Sequence, residues 1–137
     1  MKNRTDDLIQ MRPIIPTAII HDTMSSEEYF QNATLRPLLL LQNELLIEVF
    51  KNYIDKHKNV FYELSLPKQL DYIENAIHKD MKFRNSLKGM IIGQFTIEEY
   101  AIYIQNSSAL NKRMMHLVKE RLISHIQLFQ PQMAKVI

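Results

Sequence analysis

Apolar residues recur at helical spacing along most of this chain, and no stretch alternates apolar and polar for long enough to make a strand. From about residue 35 to 57, Leu38, Leu41, Leu45, Val49 and Tyr53 form one stripe, widened by Leu39, Leu46, Phe50 and Ile54. A helix apolar over so much of its girth belongs at the centre of a bundle. His57-Lys58-Asn59 ends it, and Val60-Phe61-Tyr62 reads as a buried connector. A second stripe, Leu70, Ile73, Ile77, Met81, Leu87 and Ile91, predicts one helix running to Gly93. A third, Leu110, Met114, Leu117, Val118, Leu122, Ile126 and Phe129, predicts a last helix that Pro131 ends.

Start signals divide these stripes. Ser25 with Glu28, and Thr96 with Glu99, each match a capping box, in which two side chains satisfy two free amide donors. The first predicts a short helix that fades near Asn32–Thr34, with Thr34 capping the next and Pro37 in its first turn. Ser65 is placed to cap the third helix, with Pro67 in its first turn. Asn106-Ser107-Ser108 either caps a separate fifth helix or kinks a continuous one. Residues 1–24 read as an extended arm, because Pro13 and Pro16 block a continuing helix. Its run Ile14-Ile15-Pro16-Thr17-Ala18-Ile19-Ile20 is too apolar to float in water and should lie in a groove of the bundle or on a second subunit. The predicted fold is all-α: a bundle of four to five helices over 25–131, an extended N-terminal arm over 1–24 and a tail over 132–137. A repeated Glu-Glu-Tyr, at 27–29 and 98–100, follows each capping box and is read as independent use of one capping chemistry rather than a duplication.

Composition then narrows function. With 46% hydrophobic and 23% charged residues over 137 positions, the chain can bury a single core. A net charge of +2 argues against a strongly electrostatic nucleic-acid binder. The absence of cysteine excludes disulfides, thiolate metal sites and cysteine nucleophiles. No apolar run approaches a membrane span and the first residues lack a signal-peptide core, so a cytoplasmic protein is expected, with no membrane partner.

Four sets of residues could carry a function. Both glycines of the chain, Gly89 and Gly93, lie one helical turn apart around Met90, Ile91 and Ile92. No strand leads in and Lys88 precedes the pair, so they do not form a phosphate loop. Gly93 fits the residue past a helix end, where a left-handed backbone costs glycine little. Gly89 would sit inside the helix, which costs about 1 kcal/mol relative to alanine, and close approach of another backbone would offset that. Asp80 and Arg84, four apart, read as a structural ion pair or as a buried polar site for a small anion, with Glu44 or Glu48 as other partners for Arg84. Glu74 with His78, and His116 with Glu120, have the one-turn spacing that lets a His and a carboxylate hold one metal ion; di-iron bundles use a different spacing, so these pairs read first as solvated. Lys112, Arg113, His116 and Lys119 gather on the last helix and could touch nucleic-acid phosphates, although Glu120 interrupts them and no aromatic platform accompanies them. The serines have no glycine-elbow setting, no catalytic residue is proposed and no cofactor is implied.

The run from Asp71 to Tyr100, DYIENAIHKDMKFRNSLKGMIIGQFTIEEY, followed by NSSALNKRMM, resembles a group of short uncharacterised bacterial helical proteins, some of which carry the label glyoxalase. The resemblance covers about residues 10 to 129 and rests on no catalytic motif. The label implies a metal-dependent lyase on paired βαβββ modules with His and Glu ligands on strands. This sequence offers no strands for such ligands, so no residue is carried over. The expectation is a small, non-enzymatic interaction module that self-associates as a homodimer or binds another protein. Its contacts would use Ile14, Ile15, Ile19 and Ile20 together with Gly89, Met90 and Gly93. A nucleic-acid-associated regulator is the alternative, and a metal-binding or lyase-type enzyme the second alternative.

Overall fold

The computed structural model describes residues 3–15 and 23–130, and every regular element among them is helical. There is accordingly no strand among the described residues to carry the ligand set of a βαβββ module. The N-terminal region departs first from expectation: Arg4–Met11 is an α-helix, α1, rather than extended chain. Its cause is local. The Asn3 side chain accepts the Asp6 amide at 2.9 Å, and Asp6 and Asp7 place negative charge at the positive helix end. Pro13 follows the helix and keeps it short.

Ser25 accepts the Glu28 amide and starts α2 (Ser26–Phe30). Thr34 does not cap a new helix. The chain instead runs through a π-turn, 31–35, in which the Arg36 amide reaches back to the Gln31 carbonyl. Pro37, next in line, has no amide to donate, and the wide turn accommodates that loss. Helix α3 (Arg36–Leu41) then breaks at Gln42 before α4 (Asn43–Lys56). The buried face comprises Leu38, Leu39, Leu46, Ile47, Phe50 and Ile54, whereas Leu45 stands in solvent and Val49 and Tyr53 lie at the margin.

The single helix predicted from Ser65 to Gly93 is two, α5 (Leu66–His78) and α6 (Met81–Ile92). Asp80 takes extended backbone and caps α6 by accepting the Phe83 amide at 3.2 Å. This restart shifts the helical phase, so Phe83 is buried and Met81 is exposed. Ser65 occupies the position before α5, but its hydroxyl makes no capping bond. Thr96 and Glu99 form the complete reciprocal capping box of α7 (Ile97–Tyr103). Helix α8 (Ser107–Ser124) is separate from α7 and ends before Pro131, in a short 3-10 turn over 126–128.

Helix α8 packs against α3, α4, α5 and α6, so its Leu110, Met114, Met115, Leu117, Val118 and Leu122 line one core with the faces of those helices. Phe50 is the hub of that core. Its ring lies 4.9 Å from that of Phe129 and 5.8 Å from that of Phe61, both in edge-on geometry. No helix among the described residues is long and apolar enough to cross a membrane.

Candidate functional site

The turn that contains Gly93 leads into a corner that gathers distant parts of the chain. Arg4 donates to the carbonyls of Phe95 at 2.7 Å and Gly93 at 2.9 Å. Arg12 clasps Glu99 with both terminal nitrogens, at 2.5 and 2.6 Å, and also reaches the Gln94 carbonyl at 3.0 Å. Thr34 donates to the same carboxylate at 3.0 Å, and the Thr96 amide at 2.8 Å. The Arg12 and Glu99 side chains are 10% and 15% exposed, which makes this a largely desolvated bidentate pair. Burial works to raise the Glu99 carboxyl pKa, but Arg12, Thr96 and Thr34 together outweigh it and hold the group below its ordinary value. Helix α1 itself buries no residue, so the two guanidinium groups anchor it to the body.

The glycines do something other than expected. Gly93 ends α6 in right-handed backbone, so left-handed freedom is not what it supplies. A Cβ there would stand 3.0 Å from the Gly89 carbonyl oxygen, in the same turn whose Gly93 and Phe95 carbonyls Arg4 takes. Gly89 is exposed, and a Cβ added to it would meet nothing within 4 Å. No backbone of the described residues approaches it. The residues one turn away on its face include exposed Asn85 and Ser86, while Met90 packs on the core. The close backbone approach expected at Gly89 is thus not made by the described residues, and Met90 beside it is half-buried.

An exposed apolar face lies on α7. Glu99 and Tyr103 turn inward, Tyr103 placing its ring 5.5 Å from Phe95 and its hydroxyl 2.5 Å from Asn111. The opposite side carries Ile97, Tyr100, Ala101 and Ile104, all exposed and spaced as one helical face. Ile97 is 73% exposed and Ile104 56%. Close in sequence to Arg12, Ile14 is 91% exposed, and Ile15 is partly covered. Ile19 and Ile20 lie outside the described residues.

The expected ion pair between Asp80 and Arg84 does not form. Asp80 accepts the Tyr53 hydroxyl at 2.8 Å besides the Phe83 amide, and these two bonds, the Tyr53 one foremost, lower its pKa. Tyr53 is correspondingly pushed up, by burial first and by Asp80 second. Arg84 points instead to His78 Nδ1 at 3.2 Å. Because a guanidinium can donate but not accept, that ring nitrogen is the acceptor, and the other one, Nε2, faces Glu74 at 3.4 Å.

The two His/carboxylate pairs do approach one another, His116 being close enough to act on the Glu74 charge. They do not make a metal site. Lys119 bonds Glu74 at 2.9 Å and is the main cause of its lowered pKa, while His116 pairs with Glu120 at 3.0 Å. Among the described residues no group of three or more His, Asp or Glu side chains is placed to hold a metal ion. The same contacts dismantle the basic patch. Lys119 is committed to Glu74, and Arg113 to Glu27 at 3.4 Å and Gln31 at 3.0 Å, which leaves Lys112 and His116 exposed.

The described residues also form a cleft, which the sequence did not announce. It has a volume of about 420 Å³ and lies between the last two turns of α4 and the first turns of α6. Val49, Tyr53 and Phe83 give it an aromatic and aliphatic wall, with the Tyr53 ring 4.1 Å from both Phe83 and His57. Lys56, Lys82 and Asp80 carry its charge, and His57 adds an imidazole. The spacing of Val49, Asn52, Tyr53, Lys56 and His57 is that of one helix face, and this was the available signal; the facing half appears only because α6 restarts at Asp80.

Comparisons of the chain with protein-family models, with curated proteins and with solved structures found no match.

Proposed function

We propose that this chain is a cytoplasmic interaction module without chemistry of its own, a helical bundle with an N-terminal arm that binds a second copy of itself. One observation carries the reading: α7 presents Ile97, Tyr100, Ala101 and Ile104 to solvent as a continuous helical face. Contiguous apolar surface of this kind marks contact sites, because covering it releases ordered water at about 25 cal/mol for each Å². The chain also supplies the complement. Ile14 begins an apolar run, 14–20, and stands uncovered instead of resting on its own α7. In a two-fold dimer the run of each copy lies on the α7 face of the other, so each copy gives and receives the same contact. A stable interface buries about 800 Å² on each partner. Helix α7, two turns long, supplies part of that, and a run of seven residues reaches at most about 25 Å.

Light scattering coupled to size exclusion tests this over a concentration series. The native chain is expected at twice its own mass, and an Ile97→Glu/Tyr100→Glu variant at the single-chain mass with an unchanged helical spectrum. A native protein that stays at the single-chain mass at every concentration overturns the proposal.

A further inference from the structure

The cleft between α4 and α6 lies apart from the α7 face, and its chemistry asks for a ligand of its own. Lys56 and Lys82 line it, both exposed, and neither has an acidic partner among the described residues. The one carboxylate in the lining, Asp80, is already taken up by the Tyr53 hydroxyl and the Phe83 amide. His57 stands beside it, with Nδ1 donating to the Tyr53 carbonyl at 2.8 Å. Two unpaired ammonium groups face one engaged carboxylate, so the rim favours an anion, and a doubly charged one can use both lysines where a monocarboxylate would saturate at one. The wall is different in kind. Phe83 and Val49 offer apolar surface, and Asn52 brings an exposed amide that can both donate and accept. At about 420 Å³ the space is at the small end of ligand clefts.

We propose that this cleft binds a phosphomonoester carried on a small apolar or aromatic body, with Lys56 and Lys82 holding the phosphate and Tyr53, Phe83 and Val49 contacting the body. The site does not depend on self-association. Asp80 and Tyr53 act here as positioning residues, fixing the α4–α6 spacing through their hydrogen bond. Arg84, the cation that sequence spacing would select, turns to His78 and is not among the lining residues.

Phenyl phosphate is the probe, titrated at constant ionic strength and followed by amide chemical shifts. Shifts are expected to cluster at 49–57 and 80–86. A Lys56→Ala/Lys82→Ala variant should bind about tenfold more weakly or worse, the loss of two charge-assisted contacts, with its thermal midpoint unchanged. Lys56→Arg/Lys82→Arg should retain binding. Inorganic phosphate and benzyl alcohol, each carrying half of the chemistry, should both bind more weakly than phenyl phosphate. Equal affinity for phenyl phosphate in the double alanine variant, or shifts centred elsewhere, overturns the site. Inorganic phosphate binding as tightly as phenyl phosphate overturns the role of the apolar wall.

Discussion

At the start of α6, Asp80 accepts a backbone amide and the Tyr53 hydroxyl near the surface. At the start of α7, Glu99 accepts a backbone amide and the Thr34 hydroxyl, and Arg12 lies across it. Both carboxylates stop orphaned helix donors, and both have lowered pKa values. The difference is in what they join. Asp80 ties α6 to its neighbour α4, 27 residues away, and borders an open cleft. Glu99 ties together α7, the π-turn and the N-terminal helix across as many as 87 residues, and is shut in. A cap that does only local work can remain wet and leave room for a ligand. A cap that also fastens distant segments is strengthened by desolvation, and here the side of its helix facing away stands in solvent.

Removing each carboxylate should separate these roles. Glu99→Ala leaves the Arg12 guanidinium buried without its partner, and should cost about 3 kcal/mol or more of unfolding free energy. Urea denaturation measures it, and a loss below that of Asp80→Ala would overturn the ranking. In acid the sign is the same for both groups. Each has a folded pKa below its unfolded value, so its contribution is fully present above the ordinary carboxylate range, about pH 4, and is lost as pH falls through the folded value. Glu99→Gln and Asp80→Asn should therefore each flatten the acid limb of stability, as read by midpoint against pH. Asp80→Ala removes one cap and one hydroxyl partner and should cost about 1 to 2 kcal/mol. It should also lower the phenol pKa of Tyr53, visible in ultraviolet titration, because the carboxylate is one cause of its elevation.

The smallest effect falls on Gly89, between the two helix starts. With nothing near its missing Cβ, Gly89→Ala should stabilise the isolated chain by about 1 kcal/mol. A loss of stability in a dilute thermal melt would show that a neighbour does occupy that space.

The periodic stripes made the helical class legible, and Thr96 with Glu99 announced a helix start that is present in full. The signal for α1 was equally local, Asn3 followed by Asp6 and Asp7, but the prolines beyond it drew the reading toward extended chain. The division of α5 from α6 was harder to see. Neither glycine nor proline marks it, and a stripe through Met81 reads as well as one that resumes at Phe83. The pairing of Arg12 with Glu99 was beyond local reading altogether, since spacing rules stop at one or two turns while this contact spans most of the chain. Periodicity likewise assigns residues to a face without saying what covers it, which is why Ile97, Tyr100 and Ile104 did not stand out from core positions.

The long reach of the Arg12–Glu99 clasp also sets an order of events during synthesis. At ribosomal rates of about 5 to 20 residues per second, the 87 residues between the two positions take roughly four to seventeen seconds to make. Throughout that interval α1 has no corner to dock on, because its two arginines wait for the turn around Gly93 and for Glu99. The exposed face of α7 is completed in the same few residues as Glu99 itself, so it emerges only as the dock for α1 does.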